Sequence, residues 1–234
     1  MPFKVRVLFL TVLVLSGCAG VTKKQVSIDE INKVKSIVIV KVHNLENYQL
    51  NDFGNPLGVI GGAINGASKT DTLNEMLTSN GFDFASQMET ELKDRLENAG
   101  YIVQVADVKK ENPQKLLESN DGVDIGSADA VIDVAIRVIG YASITITDAD
   151  YRPYLDMLVQ LKDTQGNLIY GDHILYGGHN PFMGAHEIES PKEYFYADFD
   201  SMTKDAAAVA TGMKTGVSKI VEYIVGNLAK SKSG

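Results

Sequence analysis

The chain is 234 residues long, 44% hydrophobic and 22% charged, a globular composition that excludes a disordered, collagen-like or polytopic membrane protein. Lys and Arg number 22 against 30 Asp and Glu, for a net charge of -8, so no basic field is available to gather phosphates and nucleic acid is excluded as a partner.

Lys4 and Arg6 precede a nine-residue apolar run, 7–15, broken only by Thr11, and the small pair Ser16 and Gly17 stands before Cys18. This is the layout of a secretion signal. Nine helical residues reach only about 14 Å, under half of a hydrocarbon core, so a retained membrane span does not fit. The tetrapeptide Leu15-Ser16-Gly17-Cys18 resembles the lipobox of bacterial lipoproteins. That resemblance implies removal of residues 1–17 and acylation of Cys18, which becomes the membrane anchor. One acyl chain binds marginally, whereas two or three hold stably. Cys18 is the single cysteine, so no disulfide staples the fold and no spare thiol is left in an oxidising compartment. The mature side chains balance at 20 basic to 30 acidic, or -10. Ala19 stands where the sorting rule of enterobacterial lipoproteins would place Asp for inner-membrane retention, which implies an outer-membrane anchor facing the periplasm.

Residues 18–35 read as the lipidated N-terminus and a polar tether, with Ser27 and Glu30 spaced as a capping box for a turn or two through Ile31 and Val34. Residues 36–42 (SIVIVKV) are β-branched and too apolar for a one-sided strand, which places them centrally in a sheet. Residues 54–68 carry no charge and five glycines. Gly58, Gly62 and Gly66 form a small-x-x-x-small repeat, with Gly61 beside them, that admits close approach of another helix or of a bilayer; a flexible loop over the domain is the alternative. The phosphate-loop pattern is missing there, because Lys69 follows Ser68.

Phe82, Ala85, Met88, Leu92, Leu96 and Ala99 recur every three or four residues and Gly100 closes the run, predicting an amphipathic helix followed by a strand over 101–105. Pro113 suits the first turn of a short helix. Residues 130–139 alternate, with Ile132, Val134, Ile136 and Val138 on one face. Residues 154–162 and 168–176 flank a turn at 163–167 and predict a hairpin. From about Ser201, Met202, Ala206, Val209, Met213, Val217, Ile220, Ile224 and Leu228 mark the buried stripe of a long closing helix, and the tail from Lys230 is polar.

No catalytic constellation stands out. Ser201-x-x-Lys204 and Lys214-Thr-Gly216 echo two motifs of serine β-lactamases, but both fall within one predicted helix. His173, His179 and His186 are spaced by six and seven, which fits no helical metal pair, and read as solvated loop residues; no metal is expected. Asp148 and Asp150 flank Ala149 without calcium-loop periodicity. The tyrosines at 141, 151, 154, 170 and 176 read as sheet packing.

The expected fold is a single α/β (α+β) domain over 36–229: a mixed sheet of about five strands, helices packed on it, and a long C-terminal helix. Its element order resembles the TolB amino-terminal-like and curli-secretion-like domains of periplasmic lipoproteins. The expected function is a non-enzymatic component of an envelope assembly, anchored by the lipid on Cys18, with no other cofactor, and bound to a protein partner or to copies of itself. A carrier of an apolar ligand would need a cavity between the sheet and the last helix. A hydrolase would need His173, His179 and Asp148 to converge.

Overall fold

A computed structural model describes residues 23–52, 63–144, 150–179 and 184–229. In chain order these hold α1 (Ile28–Ile31), β1 (Ser36–Val40), β2 (Gln49–Asp52), α2 (Ala63–Ser79), α3 (Phe84–Asn98), β3 (Ile102–Ala106), β4 (Ala130–Ser143), β5 (Arg152–Asp163), β6 (Leu168–Tyr176), β7 (His186–Ile188), α4 (Phe199–Thr203) and α5 (Ala206–Leu228). The result is the expected mixed α/β domain, with seven strands in place of about five. The sheet runs β3-β1-β4-β5-β6-β7, and β2 adds in parallel to the far half of β4, beyond the end of β1. No helix among the described residues is long and apolar enough to cross a membrane.

β1 is central, as its β-branched run requires: Ile37 and Ile39 face the helices, Val38 and Val40 face the other way, and all four are buried. The hairpin β5–β6 turns at Asp163, whose carboxylate accepts from the backbone N–H groups of Gln165 and Asn167. α3 begins at Asp83, which caps the Ser86 N–H, buries Phe84, Met88, Leu92 and Leu96, and ends before Gly100 at φ 90°. α3 and α5 pack side by side on one face of the sheet.

Four expectations change. The alternation along β4 breaks at a bulge between Ile136 and Val138, so Val138 joins the opposite face and Ile139 and Tyr141 take the helix side. Pro113 starts a turn, not a helix, and its carbonyl accepts the Ile136 N–H beside that bulge. The final helix is two helices: Asp205 interrupts it and caps the Ala208 N–H of α5. Finally, the described part of the expected tether is packed. Ile31 and Val34 lie in the core, and Lys24 exchanges two backbone hydrogen bonds with Gly171 at the edge of β6.

Candidate functional site

Leu15, Ser16, Gly17 and Cys18 lie outside the described residues, as do Gly58, Gly61 and Gly62. Gly66 falls in the first turns of α2, so the glycine-rich stretch runs into a helix at its C-terminal end. Its two points of attachment lie at one end of the sheet. Asp52 pairs with Ser143 at the end of β4, and Lys69 sits 5.5 Å over the ring of Phe199 on α4.

The most concentrated polar chemistry is on the sheet face away from α3 and α5. Period-two alternation along β5 and β6 puts Asp156, Gln160 and His173 there. His173 Nε2 lies 2.7 Å from Asp156 Oδ1, and Arg137, delivered by the β4 bulge, holds a guanidinium nitrogen 3.9 Å from the other carboxylate oxygen. His173 is therefore a buried strand residue, not a solvated loop one. A carboxylate–imidazole pair is the base half of a nucleophilic arrangement. Among the described residues no hydroxyl or thiol hydrogen-bonds the remaining ring nitrogen of His173, so the pair lacks that third member.

One strand pair away, residues 107–128 strap over the same face. Lys110 Nζ meets Asp133 Oδ1 at 2.8 Å and the Val134 carbonyl at 3.0 Å, while the other Asp133 oxygen accepts the Leu117 N–H at 2.7 Å. Gln160 and Lys162 both donate to the Leu117 carbonyl. Val108, Leu117, Val123 and Ile125 close over Val38, Val40 and Val131 beneath the strap.

The three clustered histidines do not converge. His179 is exposed and 2.7 Å from Glu187, and His186 stacks on Tyr223 at 3.7 Å with the rings 7° from parallel. Asp148 lies outside the described residues; Asp150 lines a surface cavity of about 510 Å3 with Arg152, His179, Glu189, Ser190 and Phe195. In it the Arg152 guanidinium rests 4.3 Å over the Phe195 ring, and the buried Ser190 hydroxyl has no hydrogen-bond partner. The β-lactamase look-alikes are likewise structural: Ser201 completes a capping box with Asp198 at the start of α4, and Lys214 Nζ donates to the Asn80 carbonyl.

Between the sheet and α5, where a carrier would hold its ligand, the space is filled. A Cβ on Gly212 would fall 2.8 Å from the Tyr141 hydroxyl, and one on Gly216 would fall 2.6 Å from Leu155 and 2.7 Å from Tyr176. Burial pushes the phenols here upward: Tyr196 to about 12, and Tyr141, Tyr170 and Tyr176 further still. Tyr141 donates to the Val209 carbonyl, and the hydroxyls of Tyr170, Tyr176 and Tyr196 are buried without a hydrogen-bond partner.

At the β6–β7 edge, Asp172 accepts from the Tyr223 hydroxyl at 2.7 Å and lies 3.5 Å from Lys23 Nζ. Burial, then the hydrogen bond to the Asp172 carboxylate, raises the Tyr223 phenol far above its usual range. His186, Ile188, Lys219, Tyr223 and Asn227 line a shallow groove of about 390 Å3 between β7 and the last turns of α5.

No known protein family and no curated relative matches the chain. Among solved structures it is similar to a Xanthomonas campestris protein of family DUF330, at 9% identity and TM-score 0.44 over 84% of each chain. It is also similar to a dodecameric PelC from Paraburkholderia phytofirmans, at 9% identity and TM-score 0.37 over 90% of this chain and 98% of that one. The lipoprotein GNA1162 from Neisseria meningitidis follows at 15% identity and TM-score 0.29, covering 60% of this chain and 81% of its own. At these values the likenesses carry no argument about what this chain does, which rests on its own residues.

Sequence reasoning missed Lys110, Asp133, Asp156 and Asp172 as buried charges, and the half-exposed Arg137 as the partner of Asp156. A charge at an inward position of an otherwise apolar strand is the one signal that marks Asp133, Asp156 and Asp172 in advance. Nothing local in the sequence marks their partners.

Proposed function

We propose that this chain is a lipid-anchored cell-envelope protein, held by acylated Cys18 in the outer membrane and facing the periplasm, whose α/β domain acts by binding another protein or further copies of itself. The observation that carries this reading is the tetrapeptide Leu15-Ser16-Gly17-Cys18 closing a nine-residue apolar run, with no second cysteine in the chain. A binding role, not a chemical one, is supported by the way buried polar groups are used. Lys110 and Asp133 fasten the strap, Asp172 ties α5 and the N-terminal segment to β6, and the Asp156–His173 pair has no nucleophile among the described residues. Gly58, Gly61, Gly62 and Gly66 remain the proposed contact segment, attached at the end of the sheet that also carries α4.

The test is a pair of measurements on detergent-extracted protein. Mass spectrometry of the mature N-terminus should give an acylated Cys18, and Cys18→Ser should move the protein from the detergent to the aqueous phase. Native mass should show an oligomer or hetero-complex that Gly62→Leu disperses while circular dichroism and melting stay unchanged. An unmodified cysteine would overturn the anchor, and a monomer in both forms would overturn the assembly role.

A further inference from the structure

Five residues, 19–23, separate Cys18 from Lys24, and Lys24 is fixed by its two hydrogen bonds to the Gly171 backbone and by Nζ donating to the Leu168 carbonyl. Six Cα-to-Cα steps reach at most about 21 Å even when fully extended. The opposite edge of the sheet, β3, lies five strand spacings from Lys24, about 24 Å at the usual inter-strand distance. A tether this short keeps an acylated Cys18 within about 21 Å of the β6–β7 edge, so that this edge stays the nearer one to the bilayer except when the tether is drawn out to nearly its full length across the sheet.

The exit point narrows this further. Lys23, the first described residue after the tether, reaches Asp172 at 3.5 Å and the Gly184 carbonyl at 3.3 Å, on the helix side of the sheet. Asp172 carries Tyr223, and Tyr223 stacks on His186 in the groove between β7 and α5. Stacked amphipathic rings beside lysines suit the headgroup layer, where one end of a side chain is apolar and the other wet. Charge points the same way. The chain as a whole is acidic, yet three carboxylates on the helix side of this exit each have a lysine: Asp172 with Lys23, Glu30 with Lys24 at 2.9 Å, and Glu222 with Lys219 at 3.0 Å. A neutral patch is the part of an acidic domain least repelled by anionic lipid.

We infer that the groove lined by His186, Ile188, Lys219, Tyr223 and Asn227 is the membrane-facing surface of the lipidated protein, seated on the phospholipid headgroups. This rests on the lipid anchor proposed above. One consequence is that the bilayer meets the β6–β7 edge, while the attachment points of the glycine-rich segment, at the β2 end of the sheet, are three strands further across.

Because Cys18 is the only cysteine and acylation blocks it, a single introduced thiol can be labelled cleanly. Acylated Asn227→Cys and Gln104→Cys, two exposed positions at opposite edges, are labelled with an environment-sensitive dye. They are then reconstituted into phosphatidylethanolamine–phosphatidylglycerol vesicles containing headgroup-doxyl lipid. The dye at 227 should be quenched several-fold more than the dye at 104. Equal quenching, or stronger quenching at 104, with an N-terminal mass showing acylation, would overturn the orientation alone. An unacylated mass with no vesicle binding would overturn the anchor and the orientation together.

Discussion

Lys110 and Asp133 meet at 2.8 Å with each side chain only 3% exposed, beneath a strap that has no regular structure of its own. Burying two charges is costly, and the attraction between them repays it only while both are present. Lys110→Met should therefore cost about 3 to 5 kcal/mol in urea unfolding, because Asp133 is left buried and uncompensated. Adding Asp133→Leu should recover most of that loss. Recovery is incomplete because the Leu117 N–H, which Asp133 accepts, then lacks a partner, at a cost of about 1 to 3 kcal/mol. If the single and double variants were equally unstable, the strap would depend on something other than this pair. The alternation of residues 130–139 announced that Asp133 sits on a strand, but not that its face is covered. The cover arrives from residues 107–128, whose composition reads as a loop, and only the folded chain brings them together. The same holds for His173, legible as a strand residue by its register in the hairpin yet expected in solvent because Asp156, seventeen positions earlier, cannot be matched to it from spacing alone.

Elements with strong periodicity were legible and weak ones were not. The α3 stripe and the β5–β6 hairpin follow directly from apolar spacing. β2 (QLND) and β7 (HEI) are short and largely polar, and exist because β4 and β6 offer them an edge to pair with. α2 is rich in Thr, Ser and Asn, residues that compete with the helix backbone. It is held by packing of Leu73, Met76 and Leu77 and by Asn74, which both donates to the Tyr48 carbonyl and accepts the Tyr48 N–H. Small-residue spacing marks the glycine-rich stretch, but the described glycines that set a helix onto a neighbour are Gly212 and Gly216 of α5, whose missing Cβ atoms let it settle on Tyr141, Leu155 and Tyr176. Gly216→Val should lower stability by about 1 to 3 kcal/mol through overpacking. Gly226→Ala, in the same helix with nothing within 4 Å of the new Cβ, should raise stability by about 0.5 to 1 kcal/mol. Paired melting curves decide this, and a Gly216 variant as stable as the parent would mean that α5 is not seated through these glycines.

At the scale of the whole molecule, the core carries an unusual load of phenol. Eight of the ten tyrosines are shifted upward from 10.0, with desolvation the leading cause in every case. They tie the layers together: Tyr101 on the α3–β3 side donates to the Leu228 carbonyl at the end of α5, Tyr141 to Val209 near its start, and Tyr223 to Asp172 on β6. In the unfolded chain each phenol ionises near 10. A folded pKa raised above that value contributes stability that is complete below pH of about 10 and is lost as pH climbs through the folded values, about 12 for Tyr101, Tyr154 and Tyr196. The protein should therefore hold its melting temperature up to about pH 10 and lose it steeply above. With no tryptophan to obscure it, the tyrosinate absorbance reports on the same event. Most of that absorbance should appear in one cooperative step coincident with loss of the circular-dichroism signal, because a buried phenol ionises only when the layers part. A gradual rise centred near the unperturbed value, with the fold intact, would show that water reaches these hydroxyls and that the sheet and its helices are joined less tightly than the packing around Tyr141, Tyr170 and Tyr176 requires.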